Sequence, residues 1–488
     1  YVWFAEVGAE VTTIWANFQG ADPNAELVEI NVRPAVFYPE KNHLDYITVR
    51  GFELTQAATP WTPPTADQPG LIGPNWAKGW IIEDNDISHA KCSGISLGKE
   101  AATGDNFAII RGDKPGYQYQ LESVFTARVY GWDKDHIGSH IIRRNVIHDC
   151  GQNGIVGHLG CVFSRIEDNH IYEIAQKHEF YGYEIGGIKL HGAIDVQIIH
   201  NRIHDTTLGI WLDWQNQGVR VARNLFYKNI RDIFLEVSHG PITVDHNIFT
   251  SPQSIDLWSQ GNAFVNNLVT GAVRSAQVLD RATPYHLAHS TEVAGYAFHY
   301  AGDDRFIGNL FLGEERGDDY AMGNAKFVDM YGAIKYGTAG YEGYPGTWDE
   351  YKSLVGGYSG VGDHKRYHFQ KQAVYIDNNA YAGIAAPFEK ENGAVVSSAA
   401  ASAVLVEDGD AVYLETSLPA EVVDGIHAVV TGADLGRVRI VDAAYENPDG
   451  SPVVADTDLL GAAKTAGTTY PAGPLAALPA GESRIRVW

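Results

Sequence analysis

The sequence predicts an all-β protein whose body is a parallel β-helix, a solenoid of short stacked strands. Three observations predict it. A motif of polar residue, asparagine and two mostly apolar residues recurs along the chain, it returns at near-constant intervals, and a second alternating strand pattern lies between its copies.

The motif reads "DNDIS" at Asn85, "RNVIH" at Asn145, "DNHIY" at Asn169 and "HNRIH" at Asn201. It continues as "RNLFY" at Asn224, "HNIFT" at Asn247, "NNLVT" at Asn267 and "GNLFL" at Asn309. The steps 201→224 and 224→247 are both 23 residues, and 145→169 is 24. Between the copies lie "GISLG" (94–98), "GIVGH" (154–158), "GIKLH" (187–191), "GIWLD" (209–213), "DIFLE" (232–236) and "SIDLW" (254–258). Two short strands per repeat describe a solenoid whose coils stack position upon position. Propeller blades need about 40–45 residues and four strands each. The period here is too short for them. Asparagine suits the corners, because it tolerates a left-handed backbone and can hydrogen-bond its counterpart on the next coil.

The solenoid is expected over residues 41–395, entered near "DYITVRGFEL", with insertions where the spacing widens between Asn85 and Asn145. A Gly/Tyr-rich excursion from Asp329 ("DMYGAIKYGTAGYEGYPGTWDEY") reads as a long loop or a short helical lid. Residues 1–40 carry strand patterns, "TTIWANF" and "LVEINVR", without the asparagine repeat, and are expected to be part of a separate β element. "SSAAASAV" (397–404) reads as a linker or short helix. Residues 396–488 then form a strand-rich C-terminal appendage, with "AVYLETSL" and "SRIRVW" as strands.

Composition narrows the function classes. The 488 residues carry 36 Lys+Arg against 60 Asp+Glu, a formal charge of −24. That balance disfavours nucleic acid and polyanionic sugars such as pectate, and favours a neutral substrate. No run of about 18 apolar residues exists to suggest a membrane span. Cys92, Cys150 and Cys161 are odd in number and form no CxxC pair, so neither a disulfide framework nor a zinc site is indicated. A reducing, cytoplasmic compartment is the expectation. The chain starts at Tyr1 rather than Met, so targeting signals are not readable. A homo-oligomer is compatible with this composition.

In the second strand the Ile and Leu positions alternate with variable ones, which strand geometry sends to the opposite face. The variable fifth position forms a column: Gly98, His158, His191, Asp213, Glu236, Trp258. The third position forms another: Ser96, Val156, Lys189, Trp211, Phe234, Asp256. One face thus gathers His, Lys, Asp, Glu and Trp, which describes a site better than a solubilising surface. Asp213 and Glu236 are one repeat apart, 236 − 213 = 23 residues. Stacked strands lie roughly 4.7–4.9 Å apart, so the two carboxylates should emerge as neighbours. Retaining glycosidases need a separation of about 5–5.5 Å and inverting ones roughly 6.5–9.5 Å. The spacing favours the former. Lys189 and His191 on the preceding coil should keep Asp213 ionised as a nucleophile. Trp258 on the following coil should raise the proton affinity of Glu236 for an acid/base role.

Other signals are weaker. "GISLG" matches a G-x-S-x-G nucleophile elbow around Ser96, but it reads as an ordinary rung with no helix after it. The acidic "ENPDGSPVVADTD" reads as a solvated loop rather than a calcium site. His158, His191 and His239 fall on or just beyond the outward face and are candidates for binding sugar hydroxyls. No metal or cofactor is called for.

With these residues in place, the chain resembles the glycoside hydrolase family 120 β-xylosidases. The resemblance rests on "HEFYGYEIGGIKLHGAIDVQIIHNRIHD", "GIWLDWQNQGVRVARNLFY", "FLEVSHGPITVDHNIFT", "GWDKDHIGSH" and "GQNGIVGHLGCVFS". It implies a right-handed parallel β-helix with a β-sandwich inserted near its start, of which residues 1–40 would be a remnant. It also implies hydrolysis of xylo-oligosaccharides with retention, Asp213 as nucleophile, Glu236 as acid/base, and Glu184 holding hydroxyls of the terminal xylose. Lys189, His191, Trp211, Trp214, Gln215, His239, His158 and Trp258 complete the expected substrate-binding set. The expected function is a retaining exo-acting β-xylosidase. The alternatives are a non-catalytic glycan-binding solenoid, or another β-helix carbohydrate enzyme such as an α-L-arabinofuranosidase, polygalacturonase or lyase.

Overall fold

The computed structural model describes residues 2–61, 66–99, 101–103, 112–180, 184–313 and 334–488. Three parallel sheets run the length of a solenoid, with eleven, eight and ten strands among the described residues. Each full coil therefore holds three strands, where the sequence pattern suggests two. One coil shows the reason: Val219–Ala222, Leu225–Tyr227 and Arg231–Glu236. The asparagine motif straddles a corner, so a third short strand precedes it and was hidden in the motif's own flank. Pairing also begins ahead of residue 41, where Val36 and Phe37 donate to Leu71 O.

The asparagines do not supply the left-handed backbone themselves. The residue before each one does, with φ of 57° at Asp84, 52° at Arg144, 54° at His200 and 56° at Arg223. The asparagine side chain is then free to build a ladder. Asn224 donates its main-chain N–H and its Nδ2 to Asn247 Oδ1 at 2.8 and 2.9 Å, and Nδ2 also donates to Ile198 O at 3.0 Å. The same pattern joins Asn85, Asn145, Asn169, Asn201, Asn224, Asn247, Asn267 and Asn309. It ends on Asn379, a member that the repeat spacing missed because it follows Asn309 by 70 residues. Glu391 Oε1 accepts from Asn379 and closes the ladder.

Inside, each sheet contributes a stack of like residues. The eight-stranded sheet aligns Ile72, Ile95, Ile155, Ile188, Ile210, Ile233 and Ile255. The other sheets stack Phe226 on Phe249 and Phe264 on Phe306, each pair at 4.8 Å between ring centroids. Identical shapes on neighbouring rungs pack without voids, and that penalises any slip of register.

The outward face of the eight-stranded sheet is covered rather than exposed. The helix Gly116–Val129 and the antiparallel hairpin Val278–His286/Val293–His299 lie over it. Val124, Ala127 and Val278 share an apolar cluster with Trp76, Trp132 and Trp214. As a result the strands Asn153–His158, Gly186–His191, Leu208–Asp213 and Arg231–Glu236 are buried along their whole length.

At the N-terminus, Trp3–Val7 and Thr12–Ala16 form an exposed hairpin. After the solenoid, residues 397–401 are irregular and lead directly into the strand Ser402–Asp408, so the alanine-rich segment is a linker and not a helix. That strand pairs with Ala411–Leu418, which pairs with Gly481–Arg486. Leu405, Val412 and Leu414 bury against Leu225, Ile248 and Leu310 of the solenoid. Carboxylates of the acidic loop have partners within the protein: Glu446 pairs with His289 of the hairpin turn at 3.1 Å, Asp449 caps Ser451, and Asp458 accepts from Leu460 and Ala462. The start of the Gly/Tyr-rich excursion, residues 329–333, lies outside the described residues; its end is the helix Trp348–Gly356. Among the described residues no helix is long and apolar enough to cross a membrane.

The ladder gives a direct test. Asn247→Ala removes bonds to both neighbouring coils and leaves buried partners unsatisfied, at about 1–3 kcal/mol each. The urea midpoint is expected to fall by the equivalent of about 2–4 kcal/mol, and an unchanged midpoint would show that the ladder does not hold the coils.

Candidate active site

The two columns form as strand periodicity requires. The registers His158↔His191, His191↔Asp213 and Glu236↔Trp258 make one, and Val156↔Lys189↔Trp211↔Phe234↔Asp256 make the other. The strand Leu208–Asp213 ends where Trp214 and Gln215 turn left-handed, at φ 39° and 60°. The next strand ends likewise, at Val237 with φ 43°. Asp213 and Glu236 are thus the last strand residues on adjacent coils, and Trp214 N donates to Glu236 O at 3.0 Å.

Lys189 is the hub on the Asp213 side. Its Nζ lies 2.5 Å from Asp213 Oδ2, 3.3 Å from Glu184 Oε1, and 3.5 Å over the Trp211 ring. His191 Nε2 sits 2.9 Å from Glu184 Oε2 and 3.4 Å from Asp213 Oδ2. Burial alone would push Glu184 up, but His191 and Lys189 outweigh it and hold the carboxyl well below its usual range. Glu184, His191 and Asp213 lie close enough together to hold a cation. The ammonium of Lys189 already stands between both carboxylates, so the cluster is charge-compensated without an ion and fits a metal poorly.

Glu236 is shifted the other way from Glu184. Burial first, and then the charge of Asp213, push it up to about 7. Its Oε2 accepts from Trp211 Nε1 at 3.0 Å, and its Oε1 pairs with Arg281 Nη1 at 2.6 Å. Phe234 packs between Trp211 and Trp258, at 5.2 and 5.4 Å between centroids. A carboxyl pushed up in this way, beside a second carboxylate paired with a lysine, is the arrangement that separates an acid from a nucleophile.

The structure brings Glu184, Lys189, His191, Trp211, Asp213 and Glu236 into one network. His158 flanks it, its ring 5.2 Å from that of His191, and Trp258 lies on the next coil beyond Glu236. Three expected sugar ligands stand elsewhere. Trp214 turns into the apolar cluster under the helix, because the left-handed residue carries its side chain out of the strand's column. Gln215 Oε1 pairs with His286 Nε2 at 3.3 Å. His239 accepts from Gln260 at 2.6 Å and bonds Thr283 Oγ1 at 2.9 Å, and burial lowers it to about 4, so it is a neutral joint to the hairpin. Arg281 and Gln68, which donates to Glu184 Oε2 at 3.3 Å, are the residues that sequence reasoning missed. Both arrive from segments outside the repeat. The one signal was the widened step of 42 residues from Asn267 to Asn309, which holds the hairpin.

Comparison with known proteins agrees with the fold. A right-handed β-helix region matches residues 75–269, and the insertion domain of glycoside hydrolase 120 matches residues 1–30. The solved complex of XylC with xylose shares 56% sequence identity with a TM-score of 0.91, covering 100% of this chain and 74% of that chain. The chain belongs to the glycoside hydrolase 120 family. This glycoside hydrolase thus has the parallel β-helix that its repeat pattern implies, right-handed as the resemblance implies. A second solved structure, pre-mature bacteriophage phi29 gene product 12, shares 10% identity at a TM-score of 0.38 over 76% of this chain and 43% of its own, and carries no argument. No curated protein matches.

The charge balance of the pocket is testable by folding. Because Glu184 is held below its ordinary value, its charge stabilises the fold above the unfolded carboxyl range, and that contribution is lost as pH falls through the folded value. Without Lys189, desolvation raises the buried carboxyls instead, and acid relieves them. Lys189→Met is expected to cost about 3–5 kcal/mol at pH 8 and clearly less at pH 5. Urea midpoints at the two pH values check this; equal deficits would contradict it.

Proposed function

We infer that this glycoside hydrolase is a retaining, exo-acting β-xylosidase that releases xylose from xylo-oligosaccharides. The observation that carries the reading is the placement of Asp213 and Glu236 at the ends of adjacent rungs, Asp213 paired with Lys189 and Glu236 pushed up by burial and by the Asp213 charge. Rungs of a parallel sheet are roughly 4.8 Å apart, near the separation that double displacement uses. In the first step the Asp213 carboxylate attacks the anomeric carbon while the glycosidic C–O bond breaks and Glu236 gives its proton to the leaving oxygen. In the second, Glu236 takes a proton from water, the water oxygen attacks the same carbon, and the bond to Asp213 breaks.

Substrate choice has two supports. The family relative is complexed with xylose. On the side of Asp213 away from Glu236 lie Glu184, His191 and Gln68, all buried, with Glu184 bonded to the other two. Buried, mutually bonded side chains on that side suit a single terminal sugar and so support exo action. Glu184, an ionised acceptor beside Lys189, is placed to take hydroxyl hydrogens of that sugar.

A 2-fluoro xylosyl reagent should inactivate the enzyme and label Asp213 on peptide mapping; label on another residue would overturn the nucleophile. Since the acid form of Glu236 is lost as pH rises through about 7, kcat/KM for an aryl β-xyloside should fall above that value. Glu236→Ala should abolish this limb and leave a slow enzyme that azide partly rescues. Wild-type turnover in Glu236→Ala, or faster cleavage of an aryl α-L-arabinofuranoside than of the xyloside, would each reject the reading.

A further inference from the structure

We propose that Arg281 is the positioning residue that holds Glu236 in its carboxylate form between the two half-reactions, so that it can act as the base. This rests on the double-displacement reading above. Arg281 belongs to no rung; it is carried by the strand Val278–His286 of the inserted hairpin. Its Nη1 lies 2.6 Å from Glu236 Oε1, while Trp211 Nε1 donates to Oε2 at 3.0 Å. Guanidinium and indole N–H groups donate and cannot accept. Both oxygens of Glu236 are thus engaged by donors that favour the ionised group. A carboxylic acid must instead offer an O–H to the leaving oxygen.

The opposing influences can be named. Facing Glu236 are Asp213 on the preceding coil, Lys189 one coil further back, Arg281 from the hairpin, and the neutral Trp258 on the next coil; Asp280 faces Arg281. In the free enzyme, burial and the Asp213 charge raise the hold of Glu236 on its proton. Once Asp213 is joined to the anomeric carbon its charge is gone, while Arg281 and Lys189 remain. The balance then swings to the carboxylate. The proton of Glu236 has left with the departing alcohol, and the bare carboxylate held by Arg281 accepts the next one from water. Arg281 itself gains and loses no proton.

The Arg281 side chain is 34% exposed and lies over Trp258 at 5.8 Å, so substitution removes the charge without emptying the core. With an aryl β-xyloside bearing a good leaving group, Arg281→Gln is expected to shift the alkaline limb of kcat/KM to higher pH. It should also lower kcat about 10–100-fold, a partial loss of the roughly 10²–10⁴-fold that general-base catalysis contributes, and produce a pre-steady-state burst of the aryl product. Azide, which attacks without a proton to lose, should restore kcat and yield xylosyl azide. Arg281→Lys should recover part of both effects. If Arg281→Gln does not fold, Arg281→Ala with added guanidinium ion reads the same quantities as chemical rescue. An unmoved limb, no burst and no response to azide would overturn the proposal. Trapping of wild-type Asp213 by the 2-fluoro reagent separates the two failures. If Asp213 is trapped, only the role of Arg281 falls; if it is not, double displacement itself fails.

Discussion

The hydrogen-bonded register between successive coils is the constraint on which the rest depends. A parallel sheet fixes the rise from rung to rung, and the asparagine ladder fixes which residue of one coil lies over which residue of the next. Stacked Ile and Phe side chains inside make any slip costly, since a shift of one residue would turn the apolar set outward. Once register is locked, a catalytic constellation needs only the right residue at the same position of neighbouring repeats. Asp213 and Glu236 are such a pair. Their separation is a property of the backbone, not of two flexible loops.

The second requirement is that two adjacent acids behave differently, and the columns arrange this by what lies on either side. Toward the N-terminal coils, Lys189 stands among Asp213, Glu184 and the face of Trp211. Toward the C-terminal coils, Glu236 meets Phe234 and Trp258 and is buried under the hairpin. Trp211 joins the halves, with the ammonium over its ring and its N–H on Glu236. A tryptophan beside an aspartate is a strange choice for a surface strand, but here the indole is the partition between the two acids.

Much of this was legible because a solenoid turns sequence period into spatial columns. The repeat located Asn85 to Asn309, and alternation within "GIWLD" and "DIFLE" placed Lys189, Trp211, Asp213 and Glu236 on one face. What stayed hidden did so for physical reasons. Strands such as Gln197–Ile199 and Arg165–Glu167 are three residues long and partly polar, too short to show a period. The left-handed turn was credited to the asparagine when the residue before it bears it, because both sit at one corner. Trp214 lies just past the strand end, where alternation no longer predicts direction. Arg281, Gln68 and the cover over the site come from insertions, and contacts between an insertion and a repeat leave no spacing to read.

The stereochemistry of the first product tests the central claim most directly, since it reports whether a protein carboxylate or water attacks the anomeric carbon first. Hydrolysis of an aryl β-xyloside followed by proton NMR before mutarotation shows which anomer of xylose is released. Neighbouring rungs carrying nucleophile and acid predict the β-anomer first. If the α-anomer appeared first, water rather than Asp213 would be the attacking group, and the account of adjacent rungs as a double-displacement pair would be wrong.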